Sequence, residues 1–87
     1  MADQRVLMIE SPCHISVDTG RILFKKPDGA QRTELASDLA VVCLHHEQIT
    51  VSHHAWRALS QSDGAVIITD AQHMPSGILH PLSQQAS

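Results

Sequence analysis

HISVDTGRILFKK, residues 14–26, is the stretch that decides the fold. Its first half alternates polar and apolar residues, Asp18-Thr19-Gly20 supplies turn-forming residues, and a second strand-like segment follows at Arg21–Lys25. An alternating segment, a short turn and a second strand-like segment in succession are typical of a β-hairpin. The stretch therefore predicts two antiparallel strands, and it is the clearest local signal in the chain.

Other segments of strand length lie on either side of this hairpin. Most are short apolar runs bounded by Pro, Gly, Asp or His, which favours buried strands over helices. The segments are 6–9, 31–35, 39–44, 49–51, 65–69 and 77–80. Residues 31–35 are mostly polar and predict an edge strand, whereas 39–44 and 49–51 predict two strands joined by a tight bend.

The sequence predicts one helix. Ser52 is a typical N-cap, and Ala55, Ala58 and Leu59 follow at helical spacing. Asp63-Gly64 predicts a left-handed end to this helix. The predicted fold class is mostly β, α+β by count: a small β-sandwich-like domain of about seven short strands with one short helix near residues 53–62.

Length and charge narrow the class of protein. The chain has 87 residues, six Lys and Arg, and nine Asp and Glu, so it lacks the overall basic field of many nucleic-acid binders. Its N-terminus has no signal-peptide pattern, and no apolar run reaches membrane-spanning length. We predict a β domain at 1–82, a linker or disordered tail at 83–87, a cytoplasmic location and no membrane contact.

No complete active site can be assigned from the residues. The chain has no GxSxG elbow and no glycine-rich phosphate loop. Cys13 and Cys43 have no CxxC pairing, and Cys43 lies inside an apolar run, so both are predicted to be packed thiols. Asp70 and the polar residues after it suggest a site at a strand end, although a turn-forming aspartate is the interpretation that we favour.

Histidine is unusually frequent, and its positions raise a metal-site hypothesis. The seven histidines are His14, His45, His46, His53, His54, His73 and His80. Two adjacent pairs could supply ligands, but neighbouring side chains on a strand point to opposite faces, so each pair offers one ligand to a given wall. We favour surface histidines, and a self-contained His-rich metal-binding domain is the alternative.

Basic residues cluster around the predicted hairpin. Arg21, Lys25, Lys26 and Arg32 could contact phosphates, or they could form a solvated rim. The residues alone leave both interpretations open.

Three longer stretches carry a family resemblance: HISVDTGRILFKK, SDLAVVCLHHEQITVSHHAWRALSQSDGAVIITD and MPSGILHPL. The order of these stretches and their residue patterns resemble the N-terminal β domain of the CRISPR adaptation integrase, the endonuclease of spacer acquisition, in its type II branch. The resemblance covers the chain from Val6 to Leu82.

This resemblance implies a dimerisation and DNA-positioning domain. Its expected partners are a second copy of the chain, a second, smaller CRISPR adaptation protein, and double-stranded DNA at the protospacer ends. In the family a separate helical domain performs catalysis with Mg²⁺ or Mn²⁺, and this sequence stops at Ser87, where the linker to that domain would begin. We therefore expect no catalytic residue, metal ligand or cofactor in these 87 residues, and whether the chain is itself an enzyme stays open.

The family's contact with the duplex end implies a role for the first hairpin region. Because the chain has no tyrosine, that role falls to His14. The candidate DNA contacts are His14, Arg21, Lys25 and Lys26. A third possibility, besides the DNA-positioning and metal-binding domains, is a gene remnant whose product folds poorly alone.

Overall fold

A computed structural model describes residues 4–82 of the chain. About half of these residues lie in strands, and the described part contains one α-helix. The elements in chain order are β1 (Arg5–Ile9), β2 (Cys13–Asp18), β3 (Arg21–Lys25), β4 (Gln31–Glu34), β5 (Leu39–Leu44), β6 (Ile49–Val51), α1 (His53–Gln61), β7 (Ala65–Thr69) and β8 (Pro75–Leu79), with a 3₁₀ turn at Ala36–Asp38 between β4 and β5.

The predicted fold class is confirmed, with one correction to the strand number. Residues 4–82 contain eight strands rather than about seven. The weakest strand signals came from β4 and β8, which are edge strands that bury little apolar surface. An edge strand needs no continuous apolar pattern, and the sequence signal is correspondingly faint.

The strands form two four-stranded sheets. The first sheet has the order β1-β5-β7-β8, in which β1, β5 and β7 are parallel and β8 is antiparallel to β7. The second sheet has the order β4-β3-β2-β6, in which β6 is parallel to β2 and the other pairs are antiparallel. Both sheets are therefore mixed.

The hairpin predicted from residues 14–26 is present as β2 and β3. Ile15 pairs with Phe24 and Val17 with Ile22, so the buried side chains meet on one face. The connecting Thr19 and Gly20 both have positive φ, 53° and 76°. Two consecutive left-handed residues give the turn a twist that matches the flanking strands.

A single core joins the two sheets and the helix. The side chains of both sheets face one another and pack with one side of α1. The buried residues are Leu7, Cys13, Ile15, Ile22, Phe24, Leu39, Val42, Leu44, Ala55, Leu59 and Val66. Because both sheets contribute to one cluster, the architecture is sandwich-like as predicted.

Strands β5 and β6 are both present but do not pair with each other. β5 lies between β1 and β7 in the first sheet, and β6 pairs with β2 in the second. The bend at 45–48 therefore carries the chain from one sheet to the other. At its start the His45 amide donates a hydrogen bond to the Ile9 carbonyl at 2.9 Å. A fully apolar run such as β5 suits a central strand with neighbours on both sides.

Helix α1 begins and ends close to the predicted positions. The Ser52 hydroxyl accepts a hydrogen bond from the Ala55 amide at 3.1 Å, as expected of an N-cap. The left-handed residue after the helix is Asp63, with φ 63°, rather than Gly64. Gly64 serves a different purpose, because a Cβ there would lie 3.2 Å from the Leu39 carbonyl oxygen and 3.3 Å from that of Leu59.

Charged side chains close the side of the sandwich where β1 and β4 are the edge strands. Glu34 is paired in register with buried Ile22, and its side chain is 12% exposed. Arg32 donates to Glu34 Oε2 at 2.6 Å, and Arg5 of the other sheet donates to Oε1. The Arg32 hydrogen bonds lower the pKa of the Glu34 carboxyl, burial opposes that shift, and Arg5 adds to the lowering.

Two predictions concern regions that the structure covers only in part. The predicted tail at 83–87 lies outside the described residues, as does the start of the predicted 1–82 domain. Within residues 4–82, α1 is too short to cross a bilayer, and no helix there has the length and apolar character of a membrane span.

Candidate nucleic-acid interface

The outer face of the second sheet carries most of the predicted DNA-contacting residues. Strand alternation turns His14 away from the core, and the antiparallel register places it beside Lys25. At the other end of the same hairpin, Asp18 pairs with Arg21. Apart from the half-buried Leu23, the β2 and β3 residues on this face are polar, in contrast to the buried face on which Ile15 and Phe24 lie.

One end of this face forms a shallow basic site. We use this name for the depression of about 360 Å³ whose walls include His14, Lys25, Lys26, Gln48 and Thr50. Parallel pairing of β2 with β6 aligns His14 with Thr50, and His14 Nδ1 lies 2.6 Å from Thr50 Oγ1. This hydrogen bond holds the imidazole ring beside the lysines.

The turn after β3 fixes the position of Lys26. The Lys26 amide donates a hydrogen bond to the Ala30 carbonyl at 2.8 Å, and the Gly29 amide donates one to the Lys26 carbonyl at 3.0 Å. Asp28 Oδ1 also accepts from the Ala30 amide at 2.8 Å, and Gly29 has φ 93°. This turn follows Lys25 directly, and both Lys25 and Lys26 line the basic site. Two lysines in one depression suit contact with phosphates.

Arg21 does not belong to the basic site. It begins β3, whereas Lys25 ends it. At about 3.3 Å per residue, four residues along a strand separate the two backbones by about 13 Å. The structure therefore brings together three of the four candidates, His14, Lys25 and Lys26, and leaves Arg21 at the tip of the hairpin.

Cys13 adjoins the basic site from the core side. Its side chain is 5% exposed, and burial raises the pKa of the Cys13 thiol, an effect that the Lys25 backbone and the nearby Lys26 charge partly oppose. A thiol that stays protonated is a poor nucleophile. Cys13 is thus a packed residue, as predicted.

The histidine pairs do not converge as the metal-site alternative requires. His45 instead stacks on His73, with ring centroids 4.1 Å apart and planes at 17°. In-plane nitrogen lone pairs of nearly parallel rings do not point at one ion. Across residues 4–82 no group of three or more His, Cys, Asp or Glu side chains is placed to hold a metal.

Asp70 has the structural role that we favoured from the sequence. Its Oδ1 accepts from the Gln72 amide at 2.9 Å and from the Met74 amide at 3.0 Å. These bonds order the turn in which His73 adopts φ 64°. The stacking of His73 on His45 was not predictable from the sequence, since it joins loops that follow two different strands.

The outer face of the first sheet has the opposite character. We use the name outer apolar face for the apolar side chains that point away from the core on its four strands; Ser76 of β8 lies on the same side. These apolar side chains are Val6, Met8, Val41, Cys43, Ala65, Ile67 and Ile78. Met8, Cys43 and Ile67 form one row that Ile78 completes, and among these positions of the described strands none is charged.

Comparison with known proteins gives matches only among solved structures. No protein-family model and no curated protein matches the chain. The crystal structure of a TtCas1–DNA complex matches with a TM-score of 0.76 and 18% identity, over 90% of this chain and 26% of that one. A Cas1 protein from Thermotoga maritima matches with a TM-score of 0.76 and 10% identity, over 88% and 24% of the two chains.

A larger assembly also contains the fold. The Cas6-RT-Cas1–Cas2 complex matches with a TM-score of 0.78 and 20% identity, over 92% of this chain and 9% of that one. The chain spans about a quarter of the length of the two Cas1 proteins. At these identities the likeness is one of fold, and at that level the predicted resemblance is confirmed: residues 4–82 have the fold of a Cas1-like N-terminal β domain.

Proposed function

We propose that this chain is a dimerisation and DNA-positioning domain of a CRISPR adaptation integrase. The observation that carries the proposal is a Cas1-like fold with two opposite faces of different chemistry. One face presents the basic site, and the other presents the outer apolar face. A domain with these two surfaces suits a protein that pairs with a copy of itself and holds nucleic acid.

The basic site supports the DNA-positioning part. Phosphates dominate the affinity of most nucleic-acid complexes, and local lysine clusters are sufficient to contact them. The formal net charge of −3 gives the chain no general attraction to DNA. Binding is therefore proposed to depend on the few cations of this one site, with the imidazole of His14 beside the terminal base pair.

The outer apolar face supports the dimerisation part. Val6 is 66% exposed, Met8 52% and Ile78 61%, and they lie on one sheet. Contiguous exposed apolar surface of this kind marks interaction sites. An uncharged face carries no like charges to repel an identical face related by two-fold symmetry, so a second copy of the chain is a suitable occupant.

The further partner, the location and the place of the metal-dependent chemistry are proposed from the same family resemblance. A second, smaller adaptation protein is the further proposed partner, and the proposed location is the cytoplasm. We propose that the Mg²⁺- or Mn²⁺-dependent chemistry belongs to a separate helical domain. For this chain the proposed role is to pair, orient and hold DNA.

Duplex binding at low salt tests the DNA-positioning part. In fluorescence anisotropy with a labelled blunt duplex, the double variant Lys25→Ala/Lys26→Ala should bind more weakly than the unaltered protein. Its slope of log K against log salt should fall by about 2, one for each lost phosphate contact. Arg21→Ala is the matched control, because it removes one positive charge from β3 at a position outside the basic site.

Two outcomes would contradict this part of the proposal. One is an absence of duplex binding by the unaltered protein at low salt. The other is an equal loss per charge in Arg21→Ala, which would show that binding follows overall charge rather than the basic site.

A further inference from the structure

The basic site combines two lysines with an imidazole, a group that changes its charge near neutral pH. Lys25 pairs with His14 across the β2–β3 ladder, and Lys26 lines the same depression. The other lining residues are uncharged: Pro12, Cys13, Pro27, Gln48 and Thr50. An anion that enters the site therefore meets two ammonium groups and one imidazole, with no carboxylate among the lining residues.

Two carboxylates adjoin the lining residues in sequence, and both belong to other parts of the structure. Asp28 lies in the turn after β3, where its Oδ1 accepts from the Ala30 amide at 2.8 Å. Glu47 lies in the bend before β6 and lines a different cavity, at the ends of β5 and β7. Among the described residues, the charged groups that line the basic site together with His14 are therefore the two lysines.

Thr50 is the hydrogen-bond partner of the His14 ring, with 2.6 Å between Thr50 Oγ1 and His14 Nδ1. The backbone beside this pair is also fixed, because the Ser52 amide donates to the Ile15 carbonyl at 2.9 Å. A hydroxyl can donate to the bare Nδ1 of a neutral ring or accept from the Nδ1–H of a protonated ring. In both cases Nε2 carries a hydrogen. A carboxylate or carbonyl partner could only accept, and it would leave Nε2 bare in the neutral ring.

We infer that Thr50 is a positioning residue that holds His14 with Nε2–H towards a backbone phosphate, which makes His14 a third and proton-dependent phosphate contact of the basic site. This inference rests on the proposed DNA-positioning function and adds its dependence on pH. Phosphate oxygens accept hydrogen bonds, so the neutral and the protonated ring can both donate to them. The protonated ring adds a positive charge, and the negative phosphate favours that charged form.

Duplex affinity at two pH values tests the inference. In fluorescence anisotropy with a labelled blunt duplex at low salt, the unaltered protein should bind about fivefold or more tightly near pH 5.5 than near pH 8. The slope of log K against log salt should be steeper by about 1 at the lower pH, as expected for one more neutralised phosphate. His14→Gln, whose amide can donate but cannot be protonated, should show neither change.

The matched control for His14→Gln is a second histidine outside the basic site. His53→Gln removes an ionisable ring from the exposed start of α1. It should keep both the pH dependence of the affinity and the steeper salt slope. The two variants thus separate a proton taken up at His14 from the general gain of positive charge at low pH.

Variants of Thr50 test its positioning role. Thr50→Val keeps the shape of the side chain and removes the hydroxyl. Binding should weaken about fivefold near pH 8 but about twofold or less near pH 5.5, where the charge of the protonated ring attracts the phosphate without the hydroxyl. Thr50→Ser keeps a hydroxyl and should bind like the unaltered protein. Thr33→Val is the matched control, since Thr33 is exposed on the same outer face of the sheet and outside the basic site, and it should leave binding unchanged.

The outcomes distinguish this inference from the function on which it rests. Affinity of the unaltered protein that does not change with pH, or an equal loss of pH dependence in His53→Gln, overturns the inference and leaves phosphate contact by Lys25 and Lys26 intact. An equal loss at both pH values in Thr50→Val, or weak binding by Thr50→Ser, overturns the positioning role of Thr50. Failure of the unaltered protein to bind the duplex at either pH removes both proposals.

Discussion

Replacing Ile78 by lysine should separate the two copies that we propose to pair through the outer apolar face. Ile78 lies on edge strand β8, where its side chain is 61% exposed and completes the apolar row across the sheet. A lysine at such an exposed position costs the single copy little. In a pair, the same lysine would be covered by the apolar surface of the other copy.

The size of the effect follows from the exposed fraction. Fully burying an isoleucine side chain contributes about 1.5–3 kcal/mol, so covering the exposed 61% contributes about 1–2 kcal/mol for each copy. Two copies lose about 2–4 kcal/mol, which weakens the dimer Kd by about 30- to 1,000-fold.

Sedimentation equilibrium over a wide concentration range measures the dimer Kd directly. Leu35→Lys is the matched control, since Leu35 is 40% exposed and lies outside the first sheet. It should leave the Kd unchanged. Far-UV circular dichroism should show the same secondary structure for both variants, which separates loss of pairing from loss of folding.

The reasoning is refuted if the unaltered protein stays monomeric at all concentrations that can be reached. It is equally refuted if Ile78→Lys pairs as tightly as the unaltered protein. A third refutation would be a loss of pairing in Leu35→Lys, because the interface would then lie away from the outer apolar face.

Three further predictions concern stability. Thr19 is β-branched and has φ 53°, a left-handed conformation that asparagine tolerates better. Thr19→Asn should therefore raise the free energy of unfolding, measured by urea titration, by about 0.5–1 kcal/mol. Unchanged stability would contradict the assigned turn. Gly64→Ala should lower it by about 1–3 kcal/mol, because the new Cβ crowds two carbonyl oxygens, and unchanged stability would show that the close approach is absent. The pKa of Glu34 is lower in the folded than in the unfolded chain, so its carboxylate stabilises the fold above pH about 4.3 and loses that effect as the pH falls. Thermal melting should therefore show the protein to be more stable than Glu34→Gln near pH 6, with a gap that closes towards pH 3; a constant gap would contradict the Arg32 and Arg5 contacts.

Features set by neighbouring residues could be predicted from the sequence. The hairpin of β2 and β3 depends on alternation and on the two turn residues Thr19 and Gly20, all within one short stretch. The helix start depends on Ser52 and the residues just after it. Each of these signals is local, and each was confirmed.

Features set by distant residues could not be predicted. Nothing near Ile49–Val51 indicates that β6 pairs with β2 rather than with β5, because that choice depends on which sheet has a free edge. The Arg5 contact with Glu34 likewise joins the edges of two sheets. Arg21 was grouped with Lys25 by closeness in sequence, and strand geometry then separated them along the hairpin.

The alternation of the chain between its two sheets has a consequence for how the domain is made. The parallel partner of β1 is β5, and the parallel partner of β2 is β6. Strand β5 has neighbours on both sides only after β7 has been synthesised. Only the antiparallel pairs β2–β3, β3–β4 and β7–β8 join strands that are consecutive in the chain. Parallel pairs between distant segments form slowly, because loop closure precedes any gain from contact. All strands of the second sheet precede α1 in the chain, whereas the first sheet is completed only when β7 and β8 have been made. The sheet that carries the polar face can therefore form before the sheet that carries the apolar face.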